Sequence, residues 1–476
     1  MYLLRKGETD MNIEIKDIGK IEYANITLDG ITIIAGENNT GKSTIGKTVF
    51  SVFNGMSDWQ KIYYKTCAKN LMNIISKLSE DLEEFCLQIT GAIRRRTNRI
   101  NQLIEQLSYD KDFIACVEDY KYSTIEKDKQ DAYYRVEVYL TDFCQNYVSV
   151  YQGDSQSLMK KFKQYFDGWI RKAIIEVEEK VELDERILQR DKIKSSFEHC
   201  FKSQYIREGQ KTSCIKIIDD DKEYSLDFRE TEINISSPIR FDRSVYFIET
   251  PKLFDEIGSL RSVLSAKEEL QRLMVPNSFL DSRKTIGYRL FFRDADDKFE
   301  NMPVELDGIL KMLREEMGGY AHYYAREGIK FKENGLKNPI NAQNVSTGLK
   351  AMAFLEYALR IGAIQKGDVL VLDEPEINLH PEWQVSYARA LVILHQKYNL
   401  TILITSHSPY FIRAIECLSD KYGVMDYLNV YMVDKDVNGK QRIDNVMESE
   451  YGMTELYDRL SAPLDGLQEE INRKYD

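Results

Sequence analysis

The segment GENNTGKS, Gly36 to Ser43, restricts this chain more than any other feature. It follows the apolar run Ile31-Thr-Ile-Ile-Ala35 and leads into a helix-compatible stretch, Ser43 to Phe53. The spacing fits G-x-x-x-x-G-K-[ST] at Gly36, Gly41, Lys42 and Ser43. Glycines let the chain wrap a phosphate, and the N–H groups at the helix start point inward at the anion. The fold must therefore be α/β, with a strand feeding a helix N-terminus through this loop. On that geometry Gly36, Asn38, Asn39, Thr40 and Gly41 line the cradle and Lys42 reaches the β and γ oxygens. Ser43 ligates Mg²⁺ and Thr44 contacts the α-phosphate. The expected cofactors are ATP and Mg²⁺.

A phosphate loop needs an acidic strand end to complete it. The best one, Val369-Leu-Val-Leu-Asp373, lies roughly 330 residues further on. Gly367 to Pro375 reads as a turn, a buried strand of parallel type and an acidic pair at the strand's C-terminal end, the edge at which open α/β sheets bind ligands. Asp373 is placed to hold Mg²⁺ through water, and Glu374 to take a proton from an attacking water. A second β-branched run, Asn399 to Ser406, delivers His407 at its own end. A histidine there, beside an Asp-Glu strand, is well placed to touch a γ-phosphate, whereas a lone histidine elsewhere is usually a satisfied polar group. Upstream, Asn344-Val-Ser-Thr-Gly-Leu-Lys350 opens a helical run, Ala351 to Ile364. Ser346 and Gly348 there form either an anion-binding cap or an ordinary helix cap.

Together these four pieces resemble the ATP-binding cassette ATPases, in their SMC and RecF-like branch. GENNTGKS looks like the Walker A motif, VSTGLK the signature, LVLDEPE the Walker B and ITSHSP the switch histidine. The wording DEPEINLHPEWQ and SHSPYF is similar to the OLD family of AAA ATPases, including the ATPase subunits of Septu-type and retron-linked anti-phage systems. The resemblance covers residues 12 to 55 and 341 to 415. It implies an ATPase head assembled from both ends of the chain, and two heads that sandwich ATP. Lys42, Ser43, Asp373, Glu374 and His407 then act in cis, Ser346 and Gly348 act in trans, and Glu376 to His380 form a loop that crosses the interface. The signature departs from the transporter form. The glutamine that reports nucleotide state has no firm position, Gln60 being the available residue.

Between the halves, apolar residues recur at helical spacing. Leu71, Ile75, Leu78, Leu82, Phe85, Ile89 and Ile93 share one stripe, continued by Ile100, Leu103 and Leu107. That pattern predicts a long amphipathic helix, either a coiled-coil arm much shorter than those of true SMC proteins or part of a compact bundle. Phe162, Phe166, Trp169, Ala173, Val177 and Val181 form a second stripe. The expected organisation is a head half at 1–59, a helical insertion at 60–205, return strands of the head at 206–251, a helical and mixed subdomain at 252–340 with a strand at Tyr288 to Arg293, and the second head half at 341–476. Arg94-Arg-Arg96 with Arg99 reads more simply as a solvated helix face than as a phosphate contact.

Charge and composition set the remaining expectations. The net charge is −12, which gives bare nucleic acid no general footing and leaves only a local basic face for it. Seven scattered cysteines without a CxxC pair, and five dispersed histidines, argue for reduced thiols in the cytoplasm and no zinc site. No apolar run reaches bilayer length, so no membrane partner is expected. The opening MYLLRKGETD has too short an apolar stretch for a secretory signal, and Met11 is a second candidate start. About 65 residues follow the Ser-Pro after His407, too few for a nuclease domain, and Asp434 and Asp436 suit a turn better than a metal site. The leading expectation is an ATPase that forms homodimers or higher oligomers around ATP and controls a partner effector, an endonuclease, in anti-phage defence. The alternatives are a RecF-like repair ATPase that binds DNA directly, and an ATP-stabilised scaffold with negligible turnover.

Overall fold

The computed structural model describes residues 11–56, 59–90, 98–123, 125–150, 155–180, 185–219, 222–230, 232–239, 243–249, 304–324, 328–360, 362, 364–435, 441–449 and 452–475. The chain divides into two compact units, one of residues 1–57 and 189–476, the other of residues 58–188.

The first unit is built on a six-stranded sheet of order β14-β13-β3-β12-β11-β7. Strands β3 (Ile31–Gly36), β7 (Val245–Glu249), β11 (Val369–Asp373), β12 (Thr401–Ser406) and β13 (Leu428–Lys435) run parallel. β14 (Gln441–Asn445) closes one edge antiparallel to β13. The N-terminal β3 is thus clasped between β12 and β13 from the far end of the chain, and the head is assembled from both ends.

Period-two geometry explains the continuous apolar runs, because both faces of a parallel sheet are covered. Ile31, Ile33, Leu370, Leu372, Ile402, Ile404, Val430 and Met432 face one core. It is closed by α8 (Val304–Met317), α9 (Thr347–Arg360), α10 (Pro381–Tyr398) and α11 (Pro409–Lys421). The alternate residues Ile34, Val369, Val371, Leu403, Tyr431 and Val433 face the other core, filled by Val49, Phe50 and Phe53 of α1 (Lys42–Met56). Removing any of these large side chains to alanine costs about 2–5 kcal/mol.

A second sheet, of order β2-β1-β4-β5-β6, is antiparallel throughout. It joins β1 (Asn12–Ile18) and β2 (Ile21–Thr27) to β4 (Thr212–Asp219), β5 (Lys222–Arg229) and β6 (Glu232–Ile235). Of the expected return strands, only β7 enters the central sheet. The others alternate apolar and polar residues and so belong in a sheet with one covered face. A third, three-stranded sheet consists of β8 (Gly319–Tyr324), β9 (Gly328–Glu333) and β10 (Ile340–Asn341). The strand expected at Tyr288 to Arg293 lies outside the described residues. Asp434 lies on β13 and pairs with Arg459 of α12 (Gly452–Tyr475), which replaces the expected turn, while Asp436 lies outside the described residues.

The second unit is helical. Of the two arrangements expected for the first stripe, the compact bundle is the one observed: the stripe divides into α2 (Trp59–Thr90) and α3 (Asn98–Ser108), which pack against each other and against α4 (Lys111–Tyr122), α5 (Glu126–Ser149) and α6 (Ser155–Lys180). Leu71, Ile75, Leu78 and Leu82 share one core with Ile100, Leu107, Phe166, Trp169, Ala173 and Val177. A coiled-coil seam is two residues wide per heptad. Here each stripe meets several partners, and the aromatics of α5 and α6 fill the middle. Trp169 Nε1 donates to Leu78 O at 2.9 Å and Tyr147 OH to Ser79 O at 3.0 Å, pinning α2 to both helices. Ile89 and Gln60 lie in α2 with undescribed side chains, and Ile93, Val181 and Arg94 to Arg96 lie outside the described residues. Arg99 is exposed. Helix α7 (Glu185–Phe201) leads the chain back, with Ile193 and Phe197 buried in the core of the first unit. All seven cysteines are free, four of them buried. Among the described residues, no helix is long and apolar enough to cross a membrane.

Candidate functional site

Three parallel strands end side by side at one sheet edge. Asp373 of β11 pairs in register with Thr405 of β12, and Ser406 of β12 with Ala35 of β3. That register carries the Gly36 loop, the Asp373-Glu374 pair and His407 to the same edge.

The loop is held in shape from both sides. Gly41 has φ +102°, and a Cβ there would press on Ile21 and the Gln441 side chain. Thr40 Oγ1 donates to Glu37 O at 2.8 Å and Lys42 Nζ to the same carbonyl at 2.7 Å. Lys20, in the β1–β2 turn, donates to Asn39 Oδ1, and Gln441 Nε2 of β14 donates to Thr40 O. Asn38 and Asn39 are exposed, and Ser43 and Thr44 open α1 half-buried. Sequence spacing gave no sign of Lys20 or Gln441, since neither belongs to the loop motif and only the pairing of β14 brings Gln441 there.

Behind the loop the charges converge. Lys42 is 3% exposed and its Nζ lies 3.7 Å from Glu374 Oε1. The same Glu374 oxygen lies 3.5 Å from His407 Nδ1. Glu374 therefore bridges lysine and histidine. Its backbone is left-handed, φ 50°, an unusual conformation for a residue with a side chain. It is kept there by Glu374 N donating to Thr405 O at 3.0 Å and to Thr405 Oγ1 at 3.2 Å. Thr405 Oγ1 in turn donates to Asp373 Oδ1. Burial pushes the Lys42 ammonium below its ordinary pKa, while Glu374, Asp373 and Glu376 oppose that shift.

Glu376 belongs to this cluster, although its position in the sequence suggested only a loop residue. Its side chain is 3% exposed. Oε1 accepts from Ser406 Oγ at 2.6 Å and from His407 N at 3.4 Å. Oε2 has no hydrogen-bond partner among the described residues. Burial raises its pKa, against the opposing pull of those hydrogen bonds and of His407. The available signal was the third acidic residue of DEPE, three positions beyond Asp373.

Ser346 and Gly348 sit at the start of α9. Ser346 is exposed and its carbonyl accepts from Lys350 N at 3.0 Å. Gly348 is buried, and a Cβ there would come 2.7 Å from Asn378 O and 3.2 Å from Leu379 Cδ2. The structure groups this segment with residues 378–383 of its own chain. His380 is exposed and caps α10, accepting from Glu382 N through Nδ1 at 3.4 Å.

Among the described residues, no cluster of three or more His, Cys, Asp or Glu side chains could cage a metal. The donors present suit Mg²⁺ in its phosphate-bound form, which needs one or two protein oxygens and takes the rest from phosphates and water. Ser43 and Asp373 fit that requirement. The glycine-shaped loop with a buried lysine behind it fits a polyphosphate.

Comparisons with known proteins add the following. Residues 267–413 match the family profile described as AAA domain, putative AbiEii toxin, Type IV TA system. The matched segment takes in Ser346, Asp373 and His407 and leaves the phosphate loop outside. No curated protein matches the sequence. Among solved structures, the chain is similar to the SMC head domain from Thermotoga maritima at 10% identity, over 92% of this chain and 98% of that one, with TM-score 0.36. It is similar to an SmcHead bound to the C-winged helix domain of ScpA at 12% identity, over 91% and 97%, with TM-score 0.39. It is similar also to the Smc head with an extended coiled coil bound to the C-terminal domain of ScpA, derived from Pyrococcus furiosus, at 11% identity, over 92% and 96%, with TM-score 0.37. These likenesses are remote, and nothing functional rests on them.

Proposed function

We propose that this chain binds and hydrolyses ATP at the Gly36–Thr44 loop, and that two copies engage around the nucleotide to control a partner effector. The observation that carries the reading is the Lys42–Glu374–His407 cluster, two ion-pair contacts of 3.7 and 3.5 Å joining the two ends of the chain at one strand edge.

The loop N–H groups and Lys42 take the phosphates, with Lys42 Nζ exchanging the Glu37 carbonyl for phosphate oxygen. Ser43 and Asp373 would hold Mg²⁺, which would neutralise phosphate charge there. Glu374 Oε1 accepts the proton of the attacking water as the water oxygen bonds to the γ-phosphorus and the bond to the β-phosphate oxygen breaks. His407, 3.5 Å from the same Glu374 oxygen, contacts the γ-phosphate. The exposed Ser346 and the N-terminus of α9 offer an anion-binding cap to the nucleotide of a second copy. Gly348 seated on Asn378 and Leu379 ties that cap to the loop after Glu374. The motif wording supports a cytoplasmic anti-phage setting and an endonuclease as effector, with the nuclease chemistry outside this chain.

Glu374→Gln tests the reading. ATP binding is expected to persist while turnover falls by about 10²–10⁴-fold. Near-normal turnover would remove Glu374 as the base, and absent binding in the unaltered protein would remove the ATP assignment. An intact Glu374 weighs against a scaffold without turnover.

A further inference from the structure

The β10-β9-β8 sheet has one face in the core and one outside it. Ala321, Ile329 and Phe331 point inward. By strand alternation Tyr320, His322, Tyr324, Lys330 and Lys332 share the opposite face. The antiparallel register sets Tyr320 against Lys332 and His322 against Lys330. A row of aromatics therefore runs along β8, and a row of cations runs beside it on β9.

The rings are close neighbours. Tyr320 and His322 have centroids 6.5 Å apart, and His322 and Tyr324 4.9 Å apart, each pair edge-to-face. Cations gather on them. Arg314, Arg360 and Lys332 lie 5.5, 5.7 and 5.9 Å from the Tyr320 ring, and Lys330 lies 5.9 Å from that of Tyr324. The buried Glu356 accepts from Arg314 Nε at 2.8 Å and Arg360 Nε at 2.9 Å, which holds both guanidinium groups beside the Tyr320 ring. His322, exposed at the middle of the row, has its pKa lowered first by desolvation and then by Arg360 and Lys332. Both charges acting on it are positive, although the chain as a whole carries −12.

We propose that this face binds single-stranded nucleic acid, with bases stacking on His322 and Tyr324 and phosphates tracking along Lys330, Lys332 and Arg360. Single strands are gripped in this way, by aromatic platforms for unstacked bases beside a cationic track for the backbone. A duplex keeps its base faces to itself and leaves the aromatic row idle. An acidic peptide uses the cations alone. Arg360 also ends the helix that begins beside Ser346, so a bound strand touches the element carrying the cap invoked above. The binding itself does not depend on the ATP reading and is measured without nucleotide.

The test is fluorescence anisotropy of the whole chain with labelled dT20, rU20, a 20-base-pair DNA duplex and poly-glutamate, over a range of salt. Both single strands are expected to bind at least tenfold more tightly than the duplex or poly-glutamate. Three phosphate contacts give a slope of about −2 in log affinity against log salt. His322→Ala is expected to weaken binding about tenfold with the slope unchanged. The pair Lys330→Glu and Lys332→Glu is expected to weaken it more and flatten the slope, with a cooperative melting transition showing that the variant is folded. Absence of strand binding overturns the proposal. So does binding that both variants leave untouched, and so does a preference for duplex or poly-glutamate. A difference between dT20 and rU20 assigns the sugar.

Discussion

Replacing Glu376 by glutamine keeps its shape and removes its charge, and the structure fixes the sign of the result. Once ionised, the carboxylate gains from Ser406 Oγ at 2.6 Å, a charge-assisted bond worth about 1 kcal/mol more than its neutral counterpart. Against this stands Oε2, buried and unpartnered, where a charged oxygen costs about 4 kcal/mol and the unpartnered amide that replaces it about 2 kcal/mol. Lys42 loses one of three nearby carboxylates but keeps Glu374 at 3.7 Å. The net expectation is a glutamine variant about 1 kcal/mol more stable than the parent at pH 8, or about 2–4 °C in melting temperature for a unit of this size. Burial raises the Glu376 pKa above its ordinary 4.5. A group raised in the folded state contributes stability that is complete below the ordinary value and is lost as pH rises through the folded value. The advantage of the variant must therefore shrink as pH falls through the folded value and vanish or reverse toward the ordinary 4.5. Melting curves from pH 4.5 to 8.5, without nucleotide or Mg²⁺, measure this. Parallel curves for the two proteins, or a parent more stable at pH 8, would refute the account of Glu376 as a strained buried charge.

Lys42→Ala removes the buried ammonium and is expected to weaken ATP binding by at least about 10²-fold, from the loss of charge-assisted bonds of about 1.5–3 kcal/mol each. Titration with a fluorescent nucleotide reads this, and parental affinity would contradict the loop assignment. Ser346→Arg is expected to leave each copy holding nucleotide while ATP-dependent association and turnover fall. Sizing by light scattering with ATP decides it, and an unchanged oligomer with unchanged turnover counts against action in trans. Glu356→Ala strips Arg314 and Arg360 of their shared buried partner. Both arginines are partly exposed, so the cost belongs at the low end of the range for a broken buried pair, about 3 kcal/mol, and a loss below about 1 kcal/mol in chemical denaturation would show the cluster to be idle.

The chain was legible wherever local chemistry dictates geometry. GENNTGKS announced a strand, a loop and a helix, and the continuous runs VLVLD and TILITS announced strands covered on both faces. What pattern could not show was partnership. IKIID and EYSLDF read correctly as strands, but nothing local says whether a strand joins β1 or β11. The Leu71 stripe reads correctly as helix, yet its periodicity is the same whether the partner is one long helix or four short ones. Lys20 and Gln441 reach the phosphate loop through long-range pairing alone. Glu376 was read only as part of an interface loop because its partner Ser406 ends a strand thirty residues later, and the left-handed backbone at Glu374 leaves no mark in composition.

The clasping of β3 between β12 and β13 has a consequence for biosynthesis. When β3 leaves the ribosome, both of its edges lack their partners, and those partners are not made until residues 401–435 emerge. The helical unit, with its own core, is complete long before that. The order of maturation is therefore helices first and nucleotide site last, with ITIIAG the segment most in need of shelter while it waits. A nascent chain arrested before residue 400 should hold a folded helical unit beside a sticky, protease-sensitive β3.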